Sequence, residues 1–292
     1  MTRPGFAIPA GACDSHVHVF PGAARYPYVA KRVYTPPDAP VAALESYLSV
    51  LGLARVVIVQ PSIYGSDNAA LLDTVAALGP ERARGVAVID EDIQDAALED
   101  MHRSGVRGIR VNLEMAGEGD PVRSGRRLKE FAGRIQGLGW HIQLFCLGDM
   151  VAALADVLAD LPVPVVLDHF GGIRTAQGLD QAGFATLLSL LNAGNTFVKA
   201  SGAYLCSAAG PDFADVVPFA RAVVAANPDR VVWGSNWPHP DGTRGQNPAI
   251  VRPFLPVGDA ETLNLLAAWA DEGTRRKILV DNPARLYGFQ AT

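Results

Sequence analysis

Two histidines stand two residues apart near the start of the chain, in Asp14-Ser15-His16-Val17-His18. Ala12, Cys13, Val17, Val19 and Phe20 around them read as β-strand, where residues i and i+2 face the same side. Two imidazoles would therefore face one cavity from one strand. His169, another imidazole, follows Asp168 at the end of a later apolar run. The chain holds six histidines in all, so three converging on one place is its strongest chemical signal. Other polar side chains also close apolar runs. They are Ser62 and Tyr64, Asp90, Arg110 with Asn112, Gln143, Lys199 with Ser201 and Tyr204, and Asn236 and His239 in Gly234-Ser235-Asn236-Trp237-Pro238-His239.

A zinc ion in a hydrolytic site has three protein ligands and a water. His16, His18 and His169 could supply three nitrogens, but Asn236 is a neutral amide and a poor zinc ligand. Strand parity turns Asp14 and Asp168 away from the histidines, as partners that orient the rings from behind. The reading is a site with no bound metal; zinc on His16, His18 and His169 is the alternative. His102 lies among polar helical residues and reads as solvated. His141 opens a strand and reads as packed at its wall.

These groups need a frame that brings distant strand ends together. Short Val- and Ile-rich runs over 12–20, 55–59, 85–89, 108–111, 141–145, 163–168, 196–200 and 230–234 read as strands buried on both faces. Helix-period stretches alternate with them over 41–51, 68–78, 95–104, 125–138, 150–160, 182–192, 215–226 and 261–278. Eight such pairs predict one α/β domain over 1–292, a single (β/α)8 TIM barrel, with a doubly wound open sheet as runner-up. A barrel carries its chemistry at the carboxyl ends of its strands. The connection 20–41 is long and rich in Pro, Tyr and Arg, and reads as a loop over that face. Phe20, Tyr26, Tyr28 and Tyr34 on it would wall a flat ring or pack the loop down. Residues 282–287 look like a short closing helix.

Composition narrows the partners. The 292 residues are 49% hydrophobic and 19% charged, with a net charge of −5. A mildly acidic balance argues against nucleic acid, which needs a basic face. No apolar run approaches the ~20 residues that span a bilayer. The first residues, Met1 to Phe6, lack the apolar stretch of a secretion signal. Three cysteines, Cys13, Cys146 and Cys206, without C-x-x-C spacing, fit reduced thiols, so a cytoplasmic protein is expected.

The blocks Asp14 to Phe20, Val59-Gln60-Pro61-Ser62, Gly108-Ile109-Arg110, Asp168-His169-Phe170-Gly171 and Trp233 to Pro240 together resemble the amidohydrolase superfamily. More narrowly they resemble its lactone-processing branch, typified by 2-pyrone-4,6-dicarboxylate lactonase. The match runs in order from Gly11 to Tyr287. It implies a (β/α)8 barrel and lactone opening without metal. An aspartate after strand eight activates water, while histidines and an arginine polarise the carbonyl and hold a carboxylate. Carried over, His16, His18, His169, Arg110, Ser62 and Tyr34 match. Two positions depart: the strand-eight aspartate is Asn236 here, and the loop Ala200 to Tyr204 lacks an arginine. The Asn and the Gly202-Ala203-Tyr204 run are similar instead to galactaro-lactone isomerase.

On that resemblance the substrate is a small acidic lactone. Developing charge on its carbonyl oxygen calls for fixed donors, and His16, His18 and Arg110 can serve. Arg110 can grip a carboxylate with two prongs, or be an ion pair in the barrel mouth. Ser62, Tyr34, Tyr64, Gln143 and Tyr204 are further binding candidates. Lys199 is either a substrate anchor or an ion pair within the barrel. Asn236 accepts no proton at neutral pH, so the base falls to His169 or His239. Isomerisation of a lactone, zinc-dependent hydrolysis or decarboxylation on the same fold, and a non-catalytic acid-binding barrel are the competing readings. An Asn236 that replaces a native aspartate is a further alternative. Oligomeric state stays open.

Overall fold

Runs such as Arg55-Val56-Val57-Ile58-Val59 and Val231-Val232-Trp233-Gly234 are buried at every position, which only a sheet covered on both faces allows. The protein, seen here in a computed structural model, is described over residues 3–245 and 247–290. Its strands are β1 (Cys13–Val17), β2 (Arg55–Val59), β3 (Ala83–Ala87), β4 (Val106–Asn112), β5 (His141–Phe145), β6 (Val165–Leu167), β7 (Thr196–Ser201) and β8 (Val231–Gly234). Eight strands pair in parallel in sequence order. Just past β1 and β8 the ring is joined by His18 N–H donating to Trp237 O at 2.8 Å and Asn236 N–H donating to His16 O at 2.9 Å. The barrel is therefore the architecture, and the open sheet is set aside.

The helices are α1 (Val41–Leu51), α2 (Ala69–Leu78), α3 (Asp95–Arg103), α4 (Leu113–Ala116), α5 (Pro121–Ile135), α6 (Gly148–Ala153) and α7 (Ala155–Asp160) in the first part of the chain. After β6 come α8 (Ala182–Ala193), α9 (Ala203–Cys206), α10 (Val217–Ala226), α11 (Asp259–Asn264), α12 (Leu266–Trp269), α13 (Glu272–Arg276) and α14 (Asn282–Tyr287). Three expected helices differ in shape. The one expected over 125–138 begins at Pro121, because the Asp120 side chain caps Val122 and Arg123 and Pro at the first turn needs no donor. The stretch 150–160 breaks at Leu154 into α6 and α7. The stretch 261–278 becomes α11, α12 and α13, since Asp271 caps Thr274 and restarts the chain after Ala270. Apolar spacing survives such breaks because the pieces bury the same side against the barrel.

Strand ends moved too. β1 stops at Val17 and β3 at Ala87, short of the expected Phe20 and Ile89. Residues just past a strand stay apolar where loops fold over the mouth. Phe20 and Ala39 exchange backbone hydrogen bonds of 2.9 and 2.7 Å, which pin both ends of the long first loop. At the amino end, Tyr287 and Phe289 pack with Cys13, Val57, Val59 and Val86.

Close helix packing sets one sharp requirement. A Cβ on Gly183 of α8 would lie 2.3 Å from the carbonyl oxygen of Gly148 on α6. Both partners are backbone, so neither can swing aside. Gly183→Ala should lower stability by about 1–3 kcal/mol, read as an earlier urea midpoint with an unchanged slope. A midpoint equal to wild type would show that the helices have room to part.

Candidate active site

β1 sends alternate side chains to opposite sides. Two-residue spacing alone would put Asp14 on the face of His16, but β1 shifts register between Asp14 and Val17, and Asp14 faces outward. Its carboxylate accepts from Tyr47 Oη of α1 at 2.6 Å, from Ser235 Oγ at 2.6 Å, and from the N–H groups of Ser235 and His16 at 3.0 Å each. Asp14 thus ties the strand carrying His16 to the loop carrying Asn236.

Asp168 overturns the parity expectation. β6 ends at Leu167, and His169, Phe170, Gly171 and Gly172 all have positive φ, 49° to 68°. Asp168 is still extended, at φ −70° and ψ 149°, and keeps the inward side of Val166, the partner of Gln143; the left-handed turn that starts at His169 then brings that imidazole inward as well. Asp168 Oδ2 accepts from Arg110 Nε at 3.3 Å and from Gln143 Nε2 at 3.0 Å. Its Oδ1 lies 3.2 Å from His16 Nδ1 and 3.7 Å from Lys199 Nζ. Lys199 donates to Gln143 Oε1 at 2.6 Å and stands 3.4 Å from His16 Nδ1. Burial opposes the charge on Asp168, but His16, Lys199 and Arg110 outweigh it and hold the carboxyl well below its usual range. Burial lowers Lys199 to about 8 against the pull of Asp168. Lys199 is therefore the interior ion pair and not a surface for substrate.

The imidazoles have definable protons. His18 Nδ1 lies 2.7 Å from the carbonyl oxygen of Val59, which can only accept. His18 Nε2 is then a lone pair, and it faces His16 Nε2 at 3.3 Å. One proton, or one cation, must sit between them. His16 Nδ1 lies between Asp168 Oδ1 at 3.2 Å, which takes a proton from it, and Lys199 Nζ at 3.4 Å, which gives one, so its tautomer follows whichever contact prevails. Burial, aided by Arg110, lowers His18 to about 3, and burial lowers His16 well below its ordinary value. His169 Nδ1 lies 2.9 Å from Ser201 Oγ, and a backbone hydrogen bond to Ser201 favours its protonated form. A proton on Nδ1 satisfies both, which leaves Nε2 as a lone pair. Burial brings His169 to about 4, so it is neutral at pH 7.

Above this cluster lies a cavity of about 340 Å³. His18, Tyr34, Ser62, Arg110, His169 and Asn236 line it. His16, Gln143 and Lys199 lie beneath, fully buried and off its wall. Tyr204 and His239 stand behind Asn236, whose Nδ2 donates to Tyr204 Oη at 2.8 Å. Tyr64 is buried beside Tyr28 and off the wall. Asp90 is exposed and bonded to Ser66. Of the loop aromatics, Tyr34 reaches the cavity; Tyr26 bonds Asp73 and Phe20 stacks on Phe254. His141 packs against Tyr287, but His102 is not simply solvated: it accepts from Trp140 Nε1 at 2.9 Å.

Sequence reasoning missed Arg174 and Arg244, which line the same cavity. Neither sits on a periodic element. Arg174 follows the left-handed turn after β6, and Arg244 lies on the long excursion after β8, where it donates to the carbonyls of Glu114 and Met115. A smaller cavity of about 220 Å³ shares Ser62, Arg110 and Asn112 with the first and adds Lys31, Arg32 and Arg127. Cationic side chains thus gather around this mouth despite the acidic net charge.

His16, Asp168 and His169 offer donor atoms within 4.8 Å of one another, and the facing nitrogens of His16 and His18 add to them. Two or three imidazoles with a carboxylate are a set of the kind zinc takes. Against that, Arg110 and Lys199 already neutralise Asp168.

The chain matches the amidohydrolase family model over residues 13–289. It is 38% identical to the 4-sulfomuconolactone hydrolase of Rhizobium radiobacter, over 97% of this chain and 92% of that one. It is 38% identical to the 2-pyrone-4,6-dicarboxylate hydrolase of Comamonas testosteroni, over 98% and 93%. It is 31% identical to the D-galactarolactone isomerase of Agrobacterium fabrum, over 98% and 94%.

Removing one cation from the buried centre should be costly. Lys199→Met leaves Asp168 with Arg110 and strands the oxygen of Gln143, at an expected cost of roughly 3–5 kcal/mol. Urea titration measures it; a loss below about 1 kcal/mol would mean that the pair is no more than a surface bridge in its effect.

Proposed function

This chain belongs to the amidohydrolase family, and from that premise we propose that it hydrolyses the ring ester of an anionic lactone using its own side chains rather than a metal. The carrying observation is the opposition of donors and a lone pair across one cavity. Among the described residues only Nε of the Arg110 guanidinium is engaged, by Asp168. Its two terminal nitrogens face a wall shared with Tyr34 and Ser62. That wall only needs to donate, to the ring carbonyl as it gains charge and to a carboxylate beside it. Opposite stands His169, neutral, with Nε2 bare.

In the proposed reaction, water attacks the carbonyl carbon and passes its proton to His169 Nε2. The ring C–O bond then breaks, and the leaving alkoxide takes the proton back. The product is an open-chain hydroxy acid or its keto tautomer, and the imidazole is regenerated. His16 supports the site from below, while His18, facing it at 3.3 Å, also lines the cavity. Names of the relatives favour a second anionic group on the substrate, and Arg174 and Arg244 at the mouth suit it. Were zinc bound, His16, Asp168 and His169 would hold it, with His18 beside them, and it would polarise the carbonyl and acidify its water. Such an ion would have to part the two histidines and draw Asp168 from its two cations. Among the described residues no helix is long and apolar enough to cross a membrane. Three free, buried thiols support a reducing, cytoplasmic setting.

Purified protein should release acid from 2-pyrone-4,6-dicarboxylate, 4-sulfomuconolactone or a related lactone acid, keep that activity in a strong chelator, and hold less than stoichiometric zinc. Ring migration by NMR without net hydrolysis would move the reading to an isomerase; chelator-sensitive activity with one zinc per chain would move it to a metalloenzyme. His169→Ala should cut kcat by about 10²–10⁴-fold. Arg110→Lys keeps a charge on Asp168 but loses the two-pronged grip, and should raise KM by about tenfold.

The acid limb carries its own sign. His169 works as the neutral base, and its folded value is about 4. The rate should therefore hold from neutrality down to about pH 5 and fall as pH drops through about 4, with circular dichroism confirming that the fold persists. An acid limb near an ordinary histidine value, about 6.5, would exclude this residue as the base.

A further inference from the structure

Behind Asn236 runs a hydrogen-bonded chain that the lactone reaction does not by itself require. Asp259, the first residue of α11, places Oδ1 2.9 Å from His239 Nε2. The other ring nitrogen of His239 lies 3.3 Å from Tyr204 Oη. Tyr204 Oη lies 2.8 Å from Asn236 Nδ2. His239 is 4% exposed, and Asn236, 6% exposed, is the one member that lines the cavity. We propose that Asp259, His239 and Tyr204 are positioning residues that lock the amide of Asn236 with its oxygen turned toward the substrate.

The direction follows from donor arithmetic. A carboxylate accepts only, so a His239 ring with one proton carries it on Nε2, toward Asp259, and leaves Nδ1 bare. A bare Nδ1 takes the hydroxyl proton of Tyr204. The phenol then has only lone pairs to offer Asn236, and those call for the NH2 side of the amide. Oδ1 is left facing the cavity, where it accepts one hydrogen of the attacking water and aims the oxygen lone pair at the carbonyl. The amide holds that water and takes no proton; the proton goes to His169. An aspartate at 236 would offer Tyr204 an acceptor and pull its proton away from His239. The relay is thus matched to an amide, which gives Asn236 a reason to stand where the lactonase it resembles has a carboxylate. The turn itself is fixed by the backbone: Asn236 and His239 have φ of 66° and 65°, and His239 N–H donates to Asn236 O at 2.8 Å. Asparagine and aspartate both tolerate that region, so the choice of amide rests on the hydrogen-bond directions.

This inference rests on the proposed hydrolysis for its kinetic consequence but not for its structure, so two arms test it. In substrate-free protein, nitrogen-15 NMR should show His239 protonated at Nε2 and bare at Nδ1, and Asp259→Asn should erase that preference. In turnover, Tyr204→Phe should lower kcat by about tenfold while KM stays within about twofold. His239→Leu should do the same. His239→Gln should restore most of the loss, since its amide can accept from Tyr204 and donate to Asp259. A wild-type His239 protonated at Nδ1 overturns the relay, and so does a folded Gln variant no better than Leu. Wild-type protein that opens no lactone would sink the function while the tautomer still decides the relay.

Discussion

A carboxylate buried at the centre of the barrel constrains everything around it. Asp168 has no exposed side-chain surface, and a lone ion there would be driven to its neutral form. It stays charged because Arg110 from β4 and Lys199 from β7 reach it, with Gln143 from β5 between them. Three strands are thus cross-linked through one side chain at the layer just below the cavity. The same residue lines the cavity above: Arg110 gives Nε to Asp168, and among the described residues its terminal nitrogens have no hydrogen-bond partner.

The imidazoles inherit their states from that centre. Burial next to two cations disfavours a third charge, so His16, His18 and His169 are all held neutral. Neutral rings serve as a base and as hydrogen-bond partners, which is the chemistry water attack on an ester needs. Lys199 and Arg110 supply the positive charge at that centre.

The outer wall of the cavity comes from a different layer. Tyr34 arrives on the first loop, Ser62 after β2, Arg174 after β6 and Arg244 after β8. These segments are held by backbone bonds and caps, such as the Phe20–Ala39 pair, rather than by the barrel core. Chemistry sits on rigid strand ends and selectivity on loops.

Much of this was legible in the chain itself. Strand and helix periods along the chain were enough for the barrel, because parallel buried strands need apolar residues at every position and their crossovers need amphipathic helices. His16, His18 and Arg110 were readable since strand parity holds inside a strand. Parity misled at Asp168-His169: Asp168 keeps the inward side of Val166, and the left-handed turn at His169–Gly172 brings the next side chain inward too. Short-range pattern carries no record of such a turn. It also could not separate residues that line the cavity from those under it, such as Lys199 and Gln143, since both kinds alternate to the same face and differ only in depth. Arg174, Arg244 and Asp259 came from loops and a late helix, where no period marks a residue and only the folded chain decides what meets. Local geometry is written in neighbours; charge balance at a buried centre depends on strands far apart in sequence, and only closure of the barrel brings them together.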